Sequence, residues 1–176
     1  MHRMKRVEDS RTENTFLIMN KHINCYGRLF GGVLMQWIDE MAGIVARRHA
    51  GTIVTTACVD NLNFKAGAYL GDVVVLIGKL TYVGRTSMEV RIDTYVEESD
   101  GTRRMINRAY EVMVALDEDD NKVDVPGLIV ETKYTLNNGD SVSVITSPAQ
   151  SPKRDWLNFV VTSKARVKIK QGSSGR

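Results

Sequence analysis

Two cysteines, three prolines and three histidines are all that the 176 residues hold of these types. Cys25 and Cys58 are too few for a disulfide framework or a zinc cluster, and they fit a reducing compartment. His2, His22 and His49 lack the spacing of metal ligands, so no metal is implied. No apolar run is long enough to cross a bilayer. The N-terminus, MHRMKRVEDSRTENTF, has basic residues but no apolar segment behind them, which argues against a secretory signal. Glu8, Asp9 and Glu13 argue against a transit peptide, and a cytoplasmic protein is expected.

What is present is an ordinary globular composition, 43% hydrophobic and 26% charged. A chain of this length can bury a core without disulfides or metals. The net charge of +3 is unevenly spread. From Ser151 to Arg176 there are seven basic residues and one acid, Asp155, so that segment carries +6 and residues 1–150 carry −3. Such a tail is a solvated segment, or it contacts nucleic acid or an anionic membrane. Nucleic-acid binding through it would depend steeply on salt and vanish on deleting residues 151–176.

The apolar run TFLIM, residues 15–19, predicts a buried strand. A glycine-marked loop leads into one long apolar helix from Gly32 to about His49. Strands are predicted over residues 52–64, 73–83, 87–98 and 103–118, joined by the connection 65–72, a Gly-Arg-Thr turn and a Ser-Asp-Gly hairpin turn. In the third of these, Met88, Val90, Ile92 and Thr94 face one way and Glu89, Arg91 and Asp93 the other. Short turns between long strands mean antiparallel neighbours. The pattern is that of an α+β domain, a meander wrapped around one helix, over residues 1–131. Residues 132–176 are expected to be a loosely attached extension, with some alternation over 164–170 and a linker-like GSSGR at the end.

On a helical wheel Leu34, Trp37, Ile38, Met41 and Val45 make one apolar face. Asp39 lies elsewhere, among Gly32, Met35, Gln36, Ala42, Gly43 and Ala46. Small neighbours admit another backbone or a slender ligand, so Asp39 is expected in a shallow trough. Glu40 falls on a different face, with Arg47 and Arg48 to balance it. At the helix start Gly31 and Gly32 leave the first amides unshielded, without intrahelical acceptors and at the positive end of the dipole. Such amides can hold a carbonyl oxygen as it becomes an oxyanion. Asp39 lies roughly 10 Å further up the axis at 1.5 Å per residue. That is far for one helix acting on one atom, and a second copy of the chain would resolve it. Cys25, near His22, would need a lowered pKa and an oriented base to act as a nucleophile, and proximity in sequence supplies neither. Cys58 is expected in the core, and His49 is expected to favour the helix dipole.

The stretch NCYGRLFGGVLMQWIDEMAGIVARRH, residues 24–49, resembles the hot-dog-fold acyl-CoA thioesterases of the cytoplasmic acyl-CoA hydrolase type. The signature is Asn-x-x-Gly-x-x-(Phe/His)-Gly-Gly followed by a mid-helix acid, here Asn24, Gly27, Phe30, Gly31, Gly32 and Asp39. It continues through VTTACVDNLNF, GDVV, VGRTSMEV and AYEVMVALDEDDNKVDVP. The family usually has a proline after Asn-Phe, where this chain has KAGA.

The resemblance implies an antiparallel sheet around a long helix, in homodimers or trimers of dimers with active sites at the subunit interface. It implies hydrolysis of acyl-CoA to free fatty acid and coenzyme A, with no cofactor, coenzyme A being part of the substrate. Asp39 would be general base or nucleophile. Asn24 would hold the thioester carbonyl or the water, and Thr55 would support the acid or the water. An amide near Gly31 or Gly32 would polarise the carbonyl. Arg85, Thr86 and Ser87 look like the coenzyme A contact region. Lys65 and the pair Arg103 and Arg104 carry charge that phosphates could use. Hot-dog dehydratases usually rely on a histidine near the helix start, where this chain has Phe30. The alternative is a non-catalytic acyl-CoA-binding or sensing protein, in which losing Asp39 would change affinity alone.

Overall fold

Runs of β-branched and apolar residues with period two dictate strands, and the one run with a 3.6-residue period dictates the helix they enclose. The computed structural model describes residues 4–129, 135, 154–158, 160 and 162–173. The chain divides into two compact units, Met1–Ile129 and Val130–Arg176. The first contains strands β1 (Lys5–Arg6) and β2 (Thr12–Leu17), helix α1 (Gly31–Ala50), and strands β3 (Ile53–Phe64), β4 (Val73–Val83), β5 (Ser87–Glu97), β6 (Arg103–Leu116) and β7 (Leu128–Ile129). Among the described residues, no helix is long and apolar enough to cross a membrane.

Five strands form an antiparallel sheet in the order β2-β4-β5-β6-β3. The inward set of β5 reads Met88, Val90, Ile92 and Thr94, all buried, as the alternation requires. Helix α1 lays Leu34, Trp37, Ile38, Met41 and Val45 against this sheet, each at most 6% exposed. Each such side chain contributes about 1.5–3 kcal/mol by leaving water. The helix approaches closely because β4 offers Gly78 beneath it. A Cβ there would stand 2.8 Å from both Met41 Cγ and Val45 Cγ2. The helix stops at Gly51, whose φ of 74° suits glycine and whose N–H bonds the Arg47 carbonyl at 2.9 Å.

Three expectations need correction. The sheet is not a simple meander after the helix, because β3 pairs with β6 and lies at the opposite side of the sheet from β2. The connection 65–72 carries the chain away from that edge, held by the Leu29 N–H bond to Ala68 O and the Asp72 carbonyl's bond from Ile18 N–H. Cys58 is not in the core. As an edge strand β3 has nothing packed on one flank, and residues 55–60 are all exposed. His49 does not serve the helix dipole as a cation. It is fully buried, its Nε2 lies 2.7 Å from Pro126 O, and burial pushes its pKa below the usual value. Positive charge at this helix end comes instead from Arg47 and Arg48 in the last turn and from Lys5, whose Nζ donates to the carbonyls of Arg48 and His49 at 2.6 and 2.7 Å.

The second unit contains a short 3-10 turn, Arg154–Asn158, and helix α2, Ser163–Ser173. The alternation over 164–170 is therefore carried by a helix, started where Thr162 Oγ1 accepts the Ala165 N–H at 3.3 Å. This helix also takes in the first two residues of the GSSGR segment. Most of the expected extension, including residues 136–153, lies outside the described residues.

Candidate active site

The loop before α1 is tied down from both ends. Phe30 donates its N–H to His22 O at 2.9 Å, and His22 Nδ1 accepts the Met19 N–H at 3.1 Å. The His22 ring stands edge-on to Trp37, which itself stacks on Phe16 with centroids 4.3 Å apart. Within this loop Asn24 Oδ1 accepts the N–H groups of Tyr26 and Arg28 at 2.9 and 3.2 Å. Two backbone donors fix which end of the amide is oxygen. The Nδ2 hydrogens are thus the end left to give to a ligand. Asn24 lines a cavity of about 380 Å³ with Arg28, Gly31, Phe64, Lys65 and Ile106.

Phe30 provides no side-chain cap for α1, so nothing from it competes for the first amides. The N–H groups of Gly31 and Gly32 have no acceptor within the helix. Their lack of side chains has separate reasons. A Cβ on Gly32 would lie 2.7 Å from the Phe30 ring, while one on Gly31 would meet Phe64 at 3.5 Å.

Asp39 lies near the middle of α1, on its exposed side. Thr56 Oγ1 donates to Asp39 Oδ1 at 2.6 Å. The supporting hydroxyl is therefore that of Thr56, not of Thr55 as expected. Neighbouring strand residues point to opposite faces, and Thr56 is the one turned to the helix. The trough also differs from expectation. Ala42 and Ala46 are buried against the sheet and do not line it. Its walls are Gly32, Met35, Gln36 and Ile38 from the helix with Val59, Leu62 and Glu111 from the sheet, around about 350 Å³. Glu40 is turned away to accept from Gln36 Nε2 at 2.9 Å.

Glu111 is the residue that sequence reasoning missed. It is 2% exposed and lines the same cavity as Asp39. Burial first, then the charge of Asp39, pushes its pKa from 4.5 up to about 7. The signal was present in β6. The inward set Ala109, Glu111, Met113 and Ala115 holds one acid among apolar residues.

The remaining expected residues fall in separate places. Lys65 donates its N–H to Ile106 O at 2.8 Å, at one end of β6. Arg85, Thr86 and Ser87 form the β4–β5 turn at the other end, where Thr86 O accepts the Ala115 N–H at 3.0 Å. Ile106 and Ala115 lie about 30 Å apart at 3.4 Å per strand residue. One chain thus does not gather Lys65 with the 85–87 turn. Arg103 is engaged by Glu13 and Glu97 at 2.8 and 2.9 Å, which raise its pKa, and Arg104 meets Glu98 at 3.3 Å. Cys25 is exposed, and the neighbouring His22 Nδ1 is already used by the loop. Among the described residues no group of three or more His, Cys, Asp or Glu side chains is placed to hold a metal ion.

The model of the thioesterase superfamily matches residues 26–102. An acyl-CoA thioester hydrolase of Zymomonas mobilis, described as uncharacterized, is 38% identical over 126 residues, covering 70% of this chain and 83% of that protein. The chain belongs to the hot-dog acyl-CoA thioesterases. This thioesterase spans only 34% of the human cytosolic acyl coenzyme A thioester hydrolase, with 33% identity over 131 residues. Among solved structures, the acyl-CoA hydrolase of Staphylococcus aureus, in complex with butyryl coenzyme A, coenzyme A and coenzyme A disulfide, is 30% identical. It matches with a TM-score of 0.71 over 74% of this chain and 80% of that one. The same enzyme has been solved with an asparagine, an aspartate and a threonine each replaced by alanine. In its numbering the first two are 15 positions apart and the last two 17. An apo-hexameric acyl-CoA thioesterase is 36% identical, with a TM-score of 0.71 over 74% of this chain and 85% of that one.

Proposed function

We propose that this thioesterase hydrolyses acyl-CoA to a free fatty acid and coenzyme A, with Asp39 as general base. The observation that carries the reading is the Asn24, Asp39 and Thr56 set. Its separations of 15 and 17 residues equal those of the three residues replaced in the Staphylococcus aureus enzyme. Thr56 is, moreover, found on the Asp39 carboxylate. The ionised carboxylate takes a proton from water as the water oxygen bonds to the thioester carbon. The oxyanion is held by the amides at Gly31 and Gly32 and by Asn24 Nδ2. Collapse breaks the C–S bond, and the leaving thiolate takes the proton from Asp39. The groups need no metal or other cofactor for this chemistry.

The site is shared between copies of the chain. In one copy Asn24 lines one cavity and Asp39 another, with Gly31 on the first and Gly32 on the second. The edge strand β3 and the exposed Phe30, Met35, Val59 and Phe64 form the face a second copy would cover. A homodimer or trimer of dimers then also lets Lys65 and the Arg85, Thr86, Ser87 turn come from different subunits to one coenzyme A. Catalysis resides in residues 1–131, in the cytoplasm.

The test is release of thiol from a panel of acyl-CoAs by the wild type, Asp39→Ala, Asn24→Ala and Thr56→Ala. The wild type turns over part of the panel, and Asp39→Ala loses about 10²–10⁴-fold in kcat. A wild type that hydrolyses none rejects the reading and leaves the acyl-CoA-binding alternative, whereas an Asp39→Ala variant at full rate rejects Asp39 as the base. Mixing Asp39→Ala with Asn24→Ala after subunit exchange restores about a quarter of the wild-type rate if each site of a symmetric dimer draws on both chains. A single turnover in heavy-oxygen water separates base from nucleophile. A base leaves the label in the acid product, whereas a nucleophile whose mixed anhydride water opens at the aspartyl carbon takes it into Asp39.

A further inference from the structure

Glu111 has no part in the chemistry so far, yet it lies behind the residue that does. It is 2% exposed, on the inward face of β6. Its cross-strand partners are Val90 on β5 and Val59 on β3. The helix side contributes Met35, Gln36, Ile38 and Asp39, and among all residues lining this cavity only Asp39 and Glu111 ionise. Glu111 Oε2 is buried without a hydrogen-bond partner, and the carboxyl group shares the cavity with the carboxylate of Asp39. An acid in so apolar a place is costly to keep ionised beside a second carboxylate. Such a pair is stable when one member is protonated and donates to the other.

We propose that Glu111 is a positioning residue for the hydrolysis, its carboxylic acid donating a hydrogen bond that, with the Thr56 hydroxyl, fixes the Asp39 carboxylate toward the water. This inference rests on the reading of Asp39 as the base. Asp39 is exposed on the helix surface, and a short carboxylate there has rotamers to choose from. Thr56 restrains one oxygen, and Glu111 supplies a second restraint from the buried side. Burial keeps the Glu111 proton in place until about pH 7. Above that, two like charges face each other in the cavity and the restraint becomes a repulsion.

The experiment measures kcat and KM of the full chain from pH 5.5 to 9 with butyryl coenzyme A and palmitoyl coenzyme A. The variants are Glu111→Gln, which keeps a donor but cannot ionise, and Glu111→Leu, which keeps neither. Glu111→Gln should stay within about threefold of wild-type kcat at pH 6.5 and should lose the decline that the wild type shows above about pH 7. Glu111→Leu should lose about ten- to hundredfold in kcat with little change in KM, the size expected for a misplaced base. If Glu111→Leu does not fold, the Glu111→Gln profile decides alone. The inference is overturned if Glu111→Gln declines with pH as the wild type does, or if folded Glu111→Leu keeps full kcat. Failure of the base reading looks different, since there Asp39→Ala itself keeps its rate.

Discussion

Replacing Glu111 by glutamine should stabilise the protein at pH 8 and leave its stability nearly unchanged at pH 4. In the unfolded chain Glu111 releases its proton near its ordinary value of 4.5, while in the folded chain it holds it to about 7. Between those values the folded state binds the extra proton, so folding stability falls as pH rises. Below 4.5 both states are protonated, and above 7 both are ionised, with the full cost in place. A displacement of about 2.5 pH units at about 1.4 kcal/mol each makes that cost on the order of 3 kcal/mol. Little of it is screened by solvent, because the side chain is 2% exposed. Glutamine fills the same space and never ionises. Urea denaturation of both proteins at pH 4, 5.5, 7 and 8, at one fixed protein concentration, measures the difference directly. The difference should grow by about 3 kcal/mol across the series and be flat above pH 7.5. A difference that stays constant with pH would refute the argument, because it would mean that Glu111 titrates alike in both states.

The threonine assignment gives a paired prediction. Thr56→Val should lower kcat about ten- to hundredfold, the cost of losing a hydrogen bond to a charged group, while Thr55→Val stays within about twofold by the same thiol-release assay. His49 has its folded pKa lowered by burial, so it contributes stability that is present above the unfolded value near 6.5 and is lost as pH falls below it. His49→Gln should therefore flatten the acid side of the stability curve below pH 6.5, followed by urea midpoints. Gly78→Ala forces a methyl group against Met41 and Val45 at 2.8 Å, which should cost about 1–3 kcal/mol in overpacking and lower the denaturation midpoint at constant slope.

How much of this was legible in the chain depended on whether polarity contrasted along each element. In β5 the contrast is sharp, and the buried set of Met88, Val90, Ile92 and Thr94 could be read directly. In α1 the apolar face and the off-face Asp39 could be read for the same reason. Strand β3 had no such contrast. Residues 55–60 are exposed together on an edge strand, and register shifts between Thr56 and Cys58 and between Val59 and Asn61 disturb the alternation. Nothing local therefore distinguished Thr56 from Thr55 or showed that Cys58 lies outside the core. The place of β3 beside β6 is likewise a property of the whole sheet, and an eight-residue connection fits either edge.

Glu111 is the opposite case, because its signal is local. An acid in the inward set between Ala109 and Met113 breaks the pattern that makes β6 a core strand. Consistency of pattern identifies the fold, and the places where the pattern breaks identify the chemistry. Asp39 breaks the helix pattern from one side of the cavity and Glu111 breaks the strand pattern from the other. Neither acid is explained by packing alone. Each has the other as its nearest ionisable neighbour within the cavity, which is why the pH dependence of stability and that of turnover should change together when Glu111 is replaced.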